Sequence, residues 1–168
     1  FPASLERIGE SAFAQNRFKA LTLGESVVEI GRGAFKNQKS RSLVYVDLGS
    51  VRILRDYAFG GNAVERVVIP SSVTEVYEGV FSDNLVDEVQ FLGDVPSMDP
   101  FLQGNGSVNV FYCAETFGWP ADAGEFSFSP QDIEFVEGCD TSEEVDSDLD
   151  GIVDLADSFP GDASEYND

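Results

Sequence analysis

Between Ser4 and Phe91 the apolar positions return in a fixed order every 22 to 24 residues. Four segments align: SLERIGESAFAQNRFKALTLG from Ser4, SVVEIGRGAFKNQKSRSLVYVDLG from Ser26, SVRILRDYAFGGNAVERVVIP from Ser50 and SVTEVYEGVFSDNLVDEVQFL from Ser72, at offsets of 22, 24 and 22. Each copy closes on an apolar triplet of the form LxxLxL: Phe18, Leu21, Leu23; Leu43, Val46, Leu48; Val64, Val67, Ile69; Val86, Val89, Phe91. The last two positions of each triplet alternate with other residues, which predicts a short half-buried strand, because successive side chains leave opposite faces of a strand. A second apolar pair opens each copy (Leu5 with Ile8, Val27 with Ile30, Val51 with Leu54, Val73 with Val76) and predicts a further short strand or turn.

One copy cannot bury its apolar side alone, so the period predicts a stack that folds by contact between neighbours and needs capping at its ends. Phe13, Phe35, Phe59 and Phe81 stand nine residues after each serine, preceded by Ala12, Ala34, Ala58 and Val80. Stacking would bring like residues together, so these rings are expected in the core. Asn16, Asn62 and Asn84 also recur, and asparagine at fixed register suits turn hydrogen bonding to backbone rather than a ligand site. The second copy carries an insertion around Asn37 to Ser42, expected to bulge as a loop. A degenerate fifth copy runs through DVPSMDPFLQGNGSVNVFYCAETFGWP, where Val108, Val110 and Tyr112 offer a last strand.

The recurring serine, valine, EIG and GAF followed by an LxxLxL strand resembles the BspA-like leucine-rich repeats of bacterial surface proteins. The resemblance spans roughly residues 1 to 120. It implies a mainly β fold, a leucine-rich-repeat solenoid of short stacked strands over 1–125, and adhesion to host or matrix molecules as the activity. Family members end in a VYY…GW stretch that closes the solenoid, which makes Trp119 a capping core residue in preference to a ligand-binding aromatic.

Charge divides the chain. All ten lysines and arginines lie between Arg7 and Arg66, where the balance with seven acidic groups is +3, and the remainder holds 24 acidic side chains with no basic one. Such a chain lacks the clustered cations that nucleic acid or an anionic membrane surface requires. It shows no signal peptide and no apolar run of about eighteen residues to insert in a membrane, and opening on Phe1 it is expected to be a mature piece of a longer, monomeric protein. Without a single histidine, serine–histidine–aspartate and cysteine–histidine catalysis and histidine-ligated zinc are excluded within the chain.

After a connecting segment at 126–145, the aspartates of DSDLDGIVDLADSFPGD follow the calcium-loop template D-x-[DN]-x-[DN]-G-x5-E. Asp146, Asp148 and Asp150 occupy positions one, three and five, Gly151 the sharp bend, Ile152 a backbone carbonyl, Asp154 position nine and Asp157 position twelve. Hard carboxylate oxygens at those spacings can converge on one Ca2+ ion. Pro160 disfavours the exiting helix of an EF-hand, and the following FPGD resembles a bacterial thrombospondin type 3 repeat. That resemblance, over 146–168, implies Asp146, Asp148, Asp150, Asp154 and Asp157 as ligands with Asp162 a further contributor, in an irregular calcium-binding acidic tail. The alternative is a solvated, disordered tail, against which stand the spacing, Gly151 and the apolar Ile152, Leu155 and Phe159.

Cys113 and Cys139 permit one disulfide, expected in an extracellular setting, with two reduced thiols as the alternative. The outward positions between the triplet residues define a candidate ligand-binding face: Ala20 and Thr22, Tyr45 and Asp47, Arg66 and Val68, Glu88 and Gln90. Tyr45 and Arg66 lead, because tyrosine and arginine dominate interface energetics. The alternative is an ordinary solvated sheet face. These features together predict a non-enzymatic extracellular or cell-surface binding module for a protein or glycan. A structural spacer, or a glycoside hydrolase built on two carboxylates, is the competing expectation.

Overall fold

In the computed structural model, residues 1–112, 116, 118 and 119 and the backbone of Ile133–Glu137 are described. The chain coils into a parallel β-solenoid in which every turn contributes one strand to each of two walls. One wall is a five-stranded parallel sheet ordered β1 (Arg7–Ile8), β3 (Glu29–Ile30), β5 (Ile53–Leu54), β7 (Glu75–Val76) and β9 (Ser97–Met98). These strands come from the apolar pairs that open each repeat. Ile8, Ile30, Leu54, Val76 and Met98 lie in register.

The LxxLxL stretches build the other wall: β2 (Ala20–Thr22) beside β4 (Tyr45–Asp47), and β6 (Arg66–Ile69) beside β8 (Glu88–Phe91), β10 (Val108–Tyr112) and β11 (Ile133–Glu137). β4 and β6 pack together without sharing a hydrogen-bonded ladder, so the single sheet expected from the repeats is divided there. The break coincides with the repeat lengthened to 24 residues, whose insertion forms a 3-10 turn at Lys39–Arg41. Arg41 fastens that turn across two repeats, its Nε donating to the Asn62 carbonyl at 2.8 Å and its Nη2 to the Asp83 carbonyl at 2.8 Å. β11 continues the second wall in register with β10, within the stretch expected to be a connector.

Between the walls runs a phenylalanine column. Phe13, Phe35, Phe59 and Phe81 stack with ring centroids 5.3, 5.5 and 5.2 Å apart and planes within 12° of parallel. Phe35, Phe59 and Phe81 are fully buried. Phe13, on the first rung, is half-buried and meets the edge of Phe1 at 5.4 Å. Beyond the column the core passes to Phe91 and Phe101, and Trp119 closes on it. The indole lies 4.7 Å from the Phe91 ring, stacks on Tyr112 at 5.3 Å and donates to the Gly93 carbonyl at 3.3 Å. This is the packing role expected of a cap.

A second column satisfies the backbone at this largely buried corner, where peptide groups taken from water need protein partners. Asn62 Nδ2 donates to the carbonyls of Phe35 and Phe59 (3.0 and 2.7 Å), and its Oδ1 accepts from the Gln38 amide (2.9 Å). Asn84 repeats the arrangement with Phe59, Ser82 and the Val64 amide, and Asn105 with Phe81, Leu102 and the Val86 amide. In the lengthened repeat Gln38 takes the position, donating to Phe13 and Phe35 and accepting from the Phe18 amide. Asn16, on the first rung, is exposed. The recurrence is therefore a structural ladder joining each rung to the next.

Candidate functional site

The outward row of the second wall is less open than its polarity suggests. Thr22 is exposed, while Ala20, Tyr45, Asp47, Arg66, Val68 and Glu88 are half-buried. Gln90 departs from the expected exposed face: it is buried, at 4%. In register it lies between Val68 on β6 and Phe111 on β10, and strand neighbours of that bulk cover a side chain set between them. Register places Ala20 beside Tyr45 and Thr22 beside Asp47. Arg66 pairs with Glu88 across the next strands, Nε to Oε1 at 3.0 Å and Nη2 to Oε2 at 3.4 Å, a forked geometry that holds the guanidinium in place. The Asp47 carboxylate accepts from the Gly49 amide at 2.8 Å, turning the chain out of β4. Arg66 and Asp47 thus have structural work within the wall.

The outer face of the five-stranded wall carries a second row that sequence reasoning passed over. Where the first two repeats place Gly9 and Gly31 after the strand, the next three place Arg55, Tyr77 and Asp99. Arg55 Nε reaches back to Glu29 Oε1 at 2.9 Å, and Glu29 Oε2 stands 3.6 Å from Arg7. The same guanidinium lies over the Tyr77 ring, 4.5 Å from its centroid, and Tyr77 in turn donates its hydroxyl to Glu75 Oε2 at 2.8 Å. The series Arg7, Glu29, Arg55, Tyr77 and Glu75 is a continuous surface ladder over four rungs. Its bond to Glu29 pushes the Arg55 pKa further up, and its bond to Glu75 holds the Tyr77 phenol above its ordinary pKa. Past Tyr77 the surface opens into a groove of about 440 Å³ lined by Thr74, Glu75, Val76, Tyr77, Ser97 and Asp99. Comparing the residue that follows the opening strand of each repeat was the signal that could have found this row.

A related arrangement occupies the adjoining corner. Tyr57 takes a left-handed backbone conformation (φ 56°) in a column where Gly33 and Gly79 do the same. Its ring lies on Gly79 so closely that a Cβ there would collide with the ring. Lys36 Nζ sits 4.6 Å from the ring centroid, and the Tyr57 hydroxyl donates to Glu78 at 3.2 Å, which raises the phenol's pKa.

Among the described residues no group of three or more histidine, cysteine, aspartate or glutamate side chains is arranged to hold a metal ion. The expected calcium ligands Asp146, Asp148, Asp150, Ile152, Asp154, Asp157 and Asp162, and the cysteines Cys113 and Cys139, lie outside the described residues. No helix among the described residues is long and apolar enough to cross a membrane.

Residues 1–101 match the BspA type leucine rich repeat region in six copies. The chain belongs to the BspA-type leucine-rich repeat family. No curated protein matches it. Among solved structures it is similar to that of a leucine-rich repeat protein from Bacteroides ovatus ATCC 8483, with 20% identity over 81% of this chain and a TM-score of 0.30. The chain spans 48% of that protein's length, about half. The BspA-type repeats account for both walls through β9 and for the phenylalanine column. The Arg55–Tyr77–Asp99 row, by contrast, lies at positions where the repeats themselves vary.

Proposed function

We propose that this BspA-type solenoid is a non-enzymatic binding and adhesion module that works outside the cell or on its surface, engaging a protein or glycan. The observation that carries the reading is the pair of outward side-chain rows held at strand spacing by a continuous core, the surface form with which solenoids bind extended partners. On the second wall Tyr45 is the leading contact, supported by Thr22, Asp47, Arg66 and Val68. Capture assays against immobilised matrix proteins and glycans test the reading. The expected result is saturable binding to at least one of them, weakened about tenfold, or about 1.4 kcal/mol, by Tyr45→Ala with Arg66→Ala. Absence of binding to every member of such a panel would favour a spacer that projects other domains.

The acidic segment at 146–168 is proposed as a calcium-stiffened linker, on the strength of its all-oxygen donor set and template spacing. Cys113 and Cys139 are proposed to form a disulfide that fastens the connecting segment after the cap to the end of the solenoid. Closing a loop of some 25 residues supplies about 3 to 4 kcal/mol in the chain-entropy description, and intact mass with and without alkylation tests whether the thiols are free.

A further inference from the structure

The surface ladder on the five-stranded wall alternates cation with anion or ring as far as Tyr77. Arg7 and Arg55 flank Glu29, and Arg55 also covers one face of the Tyr77 ring. On the far side of Tyr77 the pattern continues only in its anionic part. Asp99 holds the position of Arg55 and Tyr77 on the next rung, exposed, and shares the groove with Glu75, Thr74 and Ser97. The rung that should bring the next cation cannot do so from this chain, because no lysine or arginine follows Arg66.

We propose that the outer face of β7 and β9 docks an arginine- or lysine-bearing segment of a partner protein, its cation lying in the groove against Tyr77 between the carboxylates of Glu75 and Asp99. The proposal rests on the binding-module reading above and names the face and the partner chemistry. Three features select a cationic side chain over a neutral or anionic ligand. The groove contributes two carboxylates, two hydroxyls and an aromatic ring, and no basic group lines it. A ring of this kind attracts a cation through its quadrupole, as Arg55 already demonstrates on the same tyrosine. The Tyr77 ring is also pre-positioned, pinned by Arg55 at 4.5 Å and by its hydroxyl bond to Glu75, so little side-chain entropy is lost when a ligand arrives. An open sheet face, with Ser97 and Asp99 both exposed, accommodates an extended peptide.

The test uses the full 168-residue chain, labelled for amide NMR, and an end-blocked glycine–serine peptide carrying spaced arginines. Its match, with each arginine replaced by the isosteric uncharged citrulline, serves as control. The expected result is arginine-dependent shifts at the amides of Tyr77, Ser97 and Asp99, with affinity reduced about fivefold by Asp99→Asn and by Tyr77→Leu, the size of an exposed cation–ring contact or ion pair. Asp99 is exposed, so the first variant leaves the fold intact should the second disturb it. Shifts confined to the acidic segment 146–168, or an affinity unchanged by Asp99→Asn, overturn the proposal. So does equal binding of the citrulline peptide, or a neutral oligosaccharide moving these amides in the peptide's place. None of these outcomes touches the broader binding reading, which fails only when the capture panel itself is negative.

Discussion

The rings of Phe35 and Phe59 lie parallel to within 6°, with centroids 5.5 Å apart, although 24 residues separate them in the chain. That one contact contains the logic of the molecule. Each turn is too small to own a core, and it acquires one by laying its phenylalanine on the phenylalanine of the turn before.

Phe59 has such a neighbour on both sides, Phe35 and Phe81, and is fully buried. Phe59→Ala is therefore expected to cost about 3 to 5 kcal/mol through lost burial and an unfilled cavity. Phe13→Ala, on the half-buried first rung, should cost distinctly less. Denaturant unfolding of the two variants makes the comparison, and equal losses would contradict a column whose interior rungs bear the greater burial.

The asparagine ladder separates two residues that look alike in sequence. Asn62→Ala leaves the Gln38 amide without its acceptor in the interior and takes one of two side-chain donors from each of the carbonyls of Phe35 and Phe59, and should destabilise by about 1 to 3 kcal/mol. Asn16→Ala, at the exposed counterpart, should change stability by no more than about 0.5 kcal/mol. Thermal unfolding of both variants reads the difference.

Tyr57 and Tyr77 both have raised pKa values, chiefly because each phenol donates a hydrogen bond to a carboxylate, Glu78 and Glu75 respectively. A pKa raised in the folded state means that folding favours the protonated phenol. The stabilisation is thus fully present below the ordinary tyrosine pKa of about 10 and is lost as pH rises through the folded value. Ultraviolet titration should show late ionisations at Tyr57 and Tyr77, above the ordinary tyrosine value. Tyr77→Phe should remove one of those late transitions and reduce the alkaline loss of stability.

For the acidic segment, isothermal calorimetry of the full chain with calcium should give binding in the range of about 0.1 to 1 mM, as in extracellular modules. Asp150→Ala, which removes the donor before Gly151, should abolish or strongly weaken it. Heat that is absent from the wild type, or untouched by the substitution, would sink the assignment of these aspartates as ligands.

Much of the architecture was legible in the chain, because a solenoid writes its contacts as a sequence period. A residue's neighbours are its own equivalents 22 or 24 positions away, so the apolar pairs announced β1, β3, β5 and β7, and the triplets announced β2, β4, β6 and β8. The same argument identified Phe35, Phe59 and Phe81 as core. It also assigned Asn62 and Asn84 to backbone bonding, since a polar residue at a buried register has little else to do. Other features depended on lateral geometry that a period does not encode. Gln90 alternates like an outward residue, yet its burial depends on what flanks it across the sheet, Val68 on one side and Phe111 on the other. The ladder through Glu29, Arg55 and Tyr77 joins dissimilar residues, which repeat alignment treats as variation, and only their distances reveal that each occupies the space its neighbour leaves. Tyr57 is the sharpest case: its ring fits because Gly79, one turn away, lacks a side chain, a complementarity between unlike residues that exists only once the turns are stacked.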